Sequence, residues 1–250
     1  MADGRHDGIA GVTFCSDGRR LTGVIYLARG PQPKPSVLLL HGCPGLEQNL
    51  DLAVSLRDCG RNALVFHYRG SWGSAGRYDL RTIVADVRAA VDHLEAGGYP
   101  SVDATRLAVF GHSLGGWAAV LAAASDQRLR AVAACAPVVG FSELELSPGD
   151  LEQEFTRFLE TTPAEFASQV QHVAARPGPL DVVATISPRP VLIVHGSDDE
   201  AIPVAHGRLL FSRAGQPRRY VEVAGANHAF AWHRTELREL VVAWLTEIGL

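Results

Sequence analysis

Short apolar runs alternate along this chain with longer helical stripes. Ile9 to Cys15 and Leu21 to Ala28 flank Ser16-Asp17-Gly18-Arg19, which predicts a hairpin with a tight turn. Val37 to Leu40 is a continuous apolar run, the pattern of a strand covered on both faces. Ala63 to Phe66, Leu107 to Phe110, Ala131 to Cys135, Val191 to Val194 and Tyr220 to Val223 repeat it.

Helical spacing fills the intervals. Leu80, Ile83, Val84, Val87, Ala90, Val91 and Leu94 recur at i, i+3, i+4, i+7, with Asp79 placed to cap and Gly97-Gly98 to terminate. Leu237, Leu240, Val241, Trp244, Leu245 and Ile248 repeat the stripe at the end of the chain. Leu114 to Ala124 is apolar all round, which predicts a helix buried on every face. Strands alternating with helices predict an α/β fold: one mainly parallel sheet, helices on both sides, and the hairpin as an antiparallel edge. The 250 residues are expected to form a single domain.

One segment breaks the alternation. About fifty residues between Val139 and Val191 carry no strand pattern, so an insertion is expected at about 141–188. Leu151, Phe155, Phe158 and Leu159 form one stripe, and Phe166, Val170 and Val173 a second. Thr162-Pro163-Ala164-Glu165 is a capping box with proline at the first helical position. Two short amphipathic helices here form either a lid or ordinary packing over the sheet edge.

Composition then removes several classes of activity. The formal net charge is −4, and basic pairs such as Arg19-Arg20 and Arg218-Arg219 are short, which disfavours nucleic acid. Lys34 is the only lysine and sits between Pro33 and Pro35, in what reads as an exposed linker. Schiff-base chemistry and a P-loop therefore lack their lysine. Cys15, Cys43, Cys59 and Cys135 form no Cys-x-x-Cys pair, and reduced thiols in a cytoplasm are expected. The polar N-terminus lacks the apolar region of a signal peptide, and no apolar run approaches the ~20 residues of a membrane span. Oligomeric state is left open.

The candidate chemistry is concentrated at Gly111-His112-Ser113-Leu114-Gly115, which fits Gly-x-Ser-x-Gly. The motif follows a strand and opens the buried helix, the setting of a nucleophile elbow. Glycines flank the serine because so tight a turn has no room for nearby Cβ atoms. A serine hydroxyl needs a base, and the base needs an orienting acid. Val191 to Val194 runs into His195-Gly196-Ser197-Asp198-Asp199, which offers two acids. Tyr220 to Val223 runs into a loop carrying His228. The oxyanion of such a reaction requires two fixed donors, of which the Leu114 amide is one. The remaining histidines lack zinc spacing, so no metal is expected. Trp72 and Trp117 either line an acyl pocket or pack.

Four segments, His41-Gly42-Cys43-Pro44-Gly45, Gly111 to Gly116, His195 to Pro203 and Gly225 to Phe230, together resemble the α/β-hydrolase superfamily over nearly the whole chain. The resemblance implies a mostly parallel eight-stranded sheet with a short helical lid, and a triad of Ser113, Asp199 and His228. It places the acid at Asp199 rather than Asp198, and the second oxyanion donor at the Cys43 amide. His67-Tyr68-Arg69-Gly70-Ser71-Trp72-Gly73-Ser74 resembles the small-esterase and prolyl-oligopeptidase-like branch. True oligopeptidases add an N-terminal propeller for which these residues leave no room.

These readings converge on a cofactor-free serine hydrolase that cleaves small-molecule carboxylic esters of small or medium acyl groups. A thioesterase and an aminopeptidase-like amidase would use the same triad, and a non-catalytic binding protein would keep only the fold. Trp117, Phe155, Phe158 and Phe166 are the expected substrate-site residues.

Overall fold

A computed structural model describes residues 8–30, 32–141 and 156–250. The chain opens with β1 (Ile9–Ser16) and β2 (Arg19–Tyr26), paired antiparallel. Asp17 and Gly18 join them with φ of 44° and 73°. Two consecutive left-handed residues are what a type I′ hairpin turn needs, and Asp-Gly is a favoured pair for it.

The sheet continues with β3 (Lys34–Leu40), β4 (Asn62–Phe66), β5 (Val102–His112), β6 (Leu129–Cys135), β7 (Val191–Gly196) and β8 (Arg218–Val223). Strand order is β1-β2-β4-β3-β5-β6-β7-β8. The β1–β2 and β2–β4 pairings are antiparallel, and β4 through β8 pair in parallel. Lys34, expected in a linker, instead starts β3 and is half-buried. The apolar runs mark strand cores, and the polar ends escape that signal: β5 begins five residues before Leu107.

Helices α1 (Leu50–Asp58), α2 (Ile83–Glu95), α3 (Leu114–Ser125), α4 (Pro163–Ala174), α5 (Pro179–Val182), α6 (Ala205–Arg213) and α7 (Arg234–Glu247) flank the sheet. Alternation in β3 shows why both faces are apolar. Leu38 and Leu40 enter the core shared with α2, α3 and α4, while Val37 and Leu39 enter the one shared with α1 and α7. Side chains alternate along a strand, so a run apolar at every position feeds two cores. Each such leucine removed would cost about 2–5 kcal/mol.

The capping box forms as expected. Thr162 Oγ1 accepts from the Glu165 amide at 3.2 Å, and the Glu165 carboxylate accepts from the Thr162 amide at 2.9 Å. Helix α4 rests on the segment that leads into α2. Gln169 accepts from the Leu80 amide at 3.2 Å and donates to the Tyr78 carbonyl at 3.0 Å. Val183 and Ile186, in the turn after α5, are fully buried in the α2–α3 core. Leu151 and Phe155 lie outside the described residues, and Phe158 sits in a 3₁₀ turn, Thr156–Phe158.

Candidate active site

Four loops meet at the carboxyl ends of parallel strands, where open α/β sheets bind ligands. Ser113 follows β5 directly, with φ 57° and ψ −120°. A non-glycine residue at positive φ is strained and persists where its surroundings fix it. Here the Ser113 amide donates to the Cys135 carbonyl at 2.9 Å, and its carbonyl accepts from the amides of Gly116 and Trp117. The flanking glycines are forced. A Cβ on Gly111 would sit 1.9 Å from the Gly115 oxygen, and one on Gly115 would sit 2.2 Å from the Leu40 oxygen. The elbow and β3 are thus in backbone contact.

The acid loop after β7 settles which aspartate faces His228. Asp199 has a fully buried carboxylate, 2.9 Å and 3.0 Å from His228 Nδ1. Its Oδ1 also accepts from the amides of Ala201 at 3.0 Å and Ile202 at 2.7 Å. Burial alone would raise this carboxyl. Hydrogen bonds from His195 and His228 outweigh it and hold the group well below the usual carboxylate range. Asp198 is exposed and accepts from the Ser197 hydroxyl at 2.6 Å. An ionised Asp199 accepts only, so Nδ1 of His228 carries a proton.

Cross-links fix the loop of His228 against its neighbours. The Asp198 amide donates to the Ala226 carbonyl at 3.0 Å, and the Gly225 amide to Ser197 Oγ at 2.8 Å. His112 Nε2, next to Ser113, donates to the His228 carbonyl at 2.8 Å, with the two rings 4.8 Å apart. Burial, and then the proximity of His228, push His112 down to about 3, so it stays neutral. Asp199 is thus paired with His228, and the His228 loop is tied to the residue before Ser113.

The loop after β3 lies against the elbow. A Cβ on Gly42 would be 3.0 Å from Ser113 Cβ. His41 is buried and its Nδ1 is 2.7 Å from the Gly42 carbonyl, which can only accept, so Nδ1 is the donor. Burial pushes His41 down to about 4. That bond holds the carbonyl of the peptide whose N–H belongs to Cys43. No backbone partner engages the amides of Cys43 or Leu114 among the described residues. Burial pushes the Cys43 thiol up to about 12, which keeps it protonated and a poor nucleophile.

The four expected substrate-site residues divide. Trp117 is buried against Phe141, with ring centroids 5.7 Å apart. Phe166 is buried and stacks on Tyr78 at 6.2 Å. Phe158 is 39% exposed and stacks on Trp72 at 5.4 Å and 9°. Phe155 lies outside the described residues.

The pattern had no signal for the second partner of Asp199. His195 Nε2 lies 3.0 Å from the Ile202 carbonyl and 3.2 Å from Asp199 Oδ2. Among the described residues no group of three or more His, Cys, Asp or Glu side chains is placed to hold a metal. No helix among them is long and apolar enough to cross a membrane.

Comparison with known proteins agrees with this architecture. The chain is 31% identical over 224 residues to an uncharacterised protein of Mycobacterium tuberculosis, covering 87% of this chain and 71% of that one. It is 30% identical over 224 residues to the "Alpha/beta hydrolase domain-containing protein WAV2" of Arabidopsis thaliana, with the same coverages, 87% and 71%. In fold it is similar to the α/β hydrolase GrgF from Penicillium sp. sh18, with a TM-score of 0.76 at 23% identity over 95% of this chain and 96% of that one. Est1E from Butyrivibrio proteoclasticus, solved with ferulic acid, also gives 0.76, at 22% identity over 94% and 98% of the two chains. Residues 51–248 match the model of the prolyl oligopeptidase family. The chain belongs to that family and is an α/β hydrolase.

Proposed function

We propose that this hydrolase cleaves carboxylic esters of small or medium acyl groups through an acyl-enzyme on Ser113. The observation that carries the reading is the buried Asp199 carboxylate on Nδ1 of His228, in a loop bonded to the residue before Ser113. In this reading His228 Nε2 takes the proton of the Ser113 hydroxyl as Oγ attacks the ester carbonyl. Asp199 keeps Nδ1 protonated and stabilises the imidazolium. The amides of Cys43 and Leu114 receive the negative charge on the tetrahedral oxygen. Collapse returns the proton to the departing alcohol. Water then attacks the acyl group with His228 again as base, which frees Ser113.

The buried, protonated Cys43 thiol and the strained elbow both favour serine as the nucleophile. Membership of a peptidase family supports a second reading, amide cleavage by the same groups. A panel of nitrophenyl esters of increasing chain length, an acyl thioester and aminoacyl anilides separates these. Short esters should give the highest kcat/KM. An aminoacyl anilide turning over far faster than nitrophenyl butyrate would replace the esterase reading with the amidase one.

A further inference from the structure

After β4 the chain makes a tight excursion in which Gly70, Trp72 and Gly73 all have positive φ, at 68°, 48° and 90°. Glycine takes such angles freely, whereas a tryptophan is strained in them. Strain of this kind persists where the surroundings over-determine it. Here the surroundings are the loop that carries the Cys43 amide. The Trp72 indole N–H donates to the Pro44 carbonyl at 2.6 Å. At the other end of the loop, the Tyr68 hydroxyl donates to the His41 carbonyl at 3.3 Å and His41 Nδ1 to the Gly42 carbonyl at 2.7 Å. The Gly42–Cys43 peptide is therefore held from both sides. Gly45 has no room for a side chain: a Cβ would lie 2.8 Å from Trp72 Nε1 and 2.6 Å from His41 Nδ1.

The outer face of the same indole meets the insertion. Phe158 stacks on it nearly parallel, at 5.4 Å and 9°. Ser71 and Leu159 form an antiparallel bridge, and the Glu160 amide donates to the Gly70 carbonyl at 2.7 Å. Residues 158–160 are thus laid along residues 70–72.

We propose that Trp72 is a positioning residue for the Cys43 amide, and that Phe158 passes the placement of residues 158–160 to that amide through the stacked indole. The proposal rests on the Ser113 acyl-enzyme reading. An oxyanion donor helps only if it is already aimed when charge develops, and an error of about 1 Å costs rate rather than affinity.

Trp72→Phe keeps an aromatic ring on Phe158 and deletes the N–H. The readout is kcat and KM for nitrophenyl butyrate, per Ser113 titrated with a fluorophosphonate. Losing one aimed hydrogen bond should lower kcat about tenfold and leave KM within about twofold. Phe158→Leu, which leaves the indole in place, should lower kcat by roughly threefold, because the ring loses one wall. It also serves if Trp72→Phe fails to fold. A role in stability alone would lower the yield and Tm and leave kcat per titrated serine unchanged. Wild-type kcat in either variant, or a change confined to KM, overturns the proposal. A wild-type protein that takes no label at Ser113 overturns the underlying acyl-enzyme reading instead.

Discussion

Asp198 and Asp199 are neighbours of the same chemical type, and their surroundings separate them completely. Asp199 gathers two backbone amides and two imidazoles around a carboxylate with no exposure, while Asp198 faces solvent. Asp199→Asn should therefore lower kcat by about 10⁴-fold, because an amide favours the wrong imidazole tautomer. Asp198→Asn should leave kcat close to wild type. Steady-state kinetics on purified variants check both, and a severe loss confined to Asp198→Asn would reverse the assignment. The strand end after His195 offered both acids, and only the resemblance of His195 to Pro203 to the hydrolase family's acid loop singled out Asp199. The bond from His195 was not legible, because spacing reveals which loop a side chain occupies and not where its ring nitrogens point. Phe166 makes the same point. Its stripe position was right, but an apolar stripe does not distinguish a wall of a pocket from packing inside the core.

At the scale of elements, the segment after β4 is anchored by a buried ion pair invisible in the pattern. Arg69 reaches Asp86 on α2 at 2.6 Å and 2.8 Å, and its amide donates to the same carboxylate at 2.9 Å. A further contact, to Ser16 Oγ at 2.8 Å, brings in the end of β1. Asp86 is fully buried, so removing its charge leaves the guanidinium only the exposed Asp17 carboxylate, 3.0 Å away. Asp86→Ala should cost about 3–5 kcal/mol by urea unfolding, more than the pair contributes when intact. A loss below about 1 kcal/mol would show the pair to be effectively solvated. By contrast, Thr162→Ala opens an exposed cap and should cost about 1 kcal/mol, read as a small fall in the urea midpoint. The cap was legible because its partners are three residues apart. The ion pair was not, since its partners lie on different elements and meet only after the sheet has formed. Strand centres were recovered for the same local reason, and their polar ends, such as Val102 to Arg106, were not.

For the molecule as a whole, buried imidazoles tie stability to pH. His41 titrates at about 4 in the fold against 6.5 unfolded, and His112 at about 3. Between those values the unfolded chain holds more protons, so stability falls as pH drops from 6.5 towards 4, by about 3 kcal/mol for His41 alone. Asp199 is depressed, so its contribution is complete above about 3.9 and is lost only below that. The urea midpoint should therefore decline from pH 6.5, well before carboxylates titrate, and His41→Gln should flatten the slope between 6.5 and 4. A midpoint constant down to pH 4.5 would contradict this. At this scale the sequence was most informative: alternating apolar runs marked the eight strands and their two cores, and four short segments that resemble the hydrolase family marked the loops at one sheet edge. The central claim remains the identity of the nucleophile, and covalent labelling tests it most directly. Incubation with a fluorophosphonate and peptide mass spectrometry should find one adduct, on Ser113, absent from Ser113→Ala, whose kcat should fall by roughly 10⁴–10⁶-fold. Ester hydrolysis that survives Ser113→Ala, or an adduct on another residue, would contradict the account.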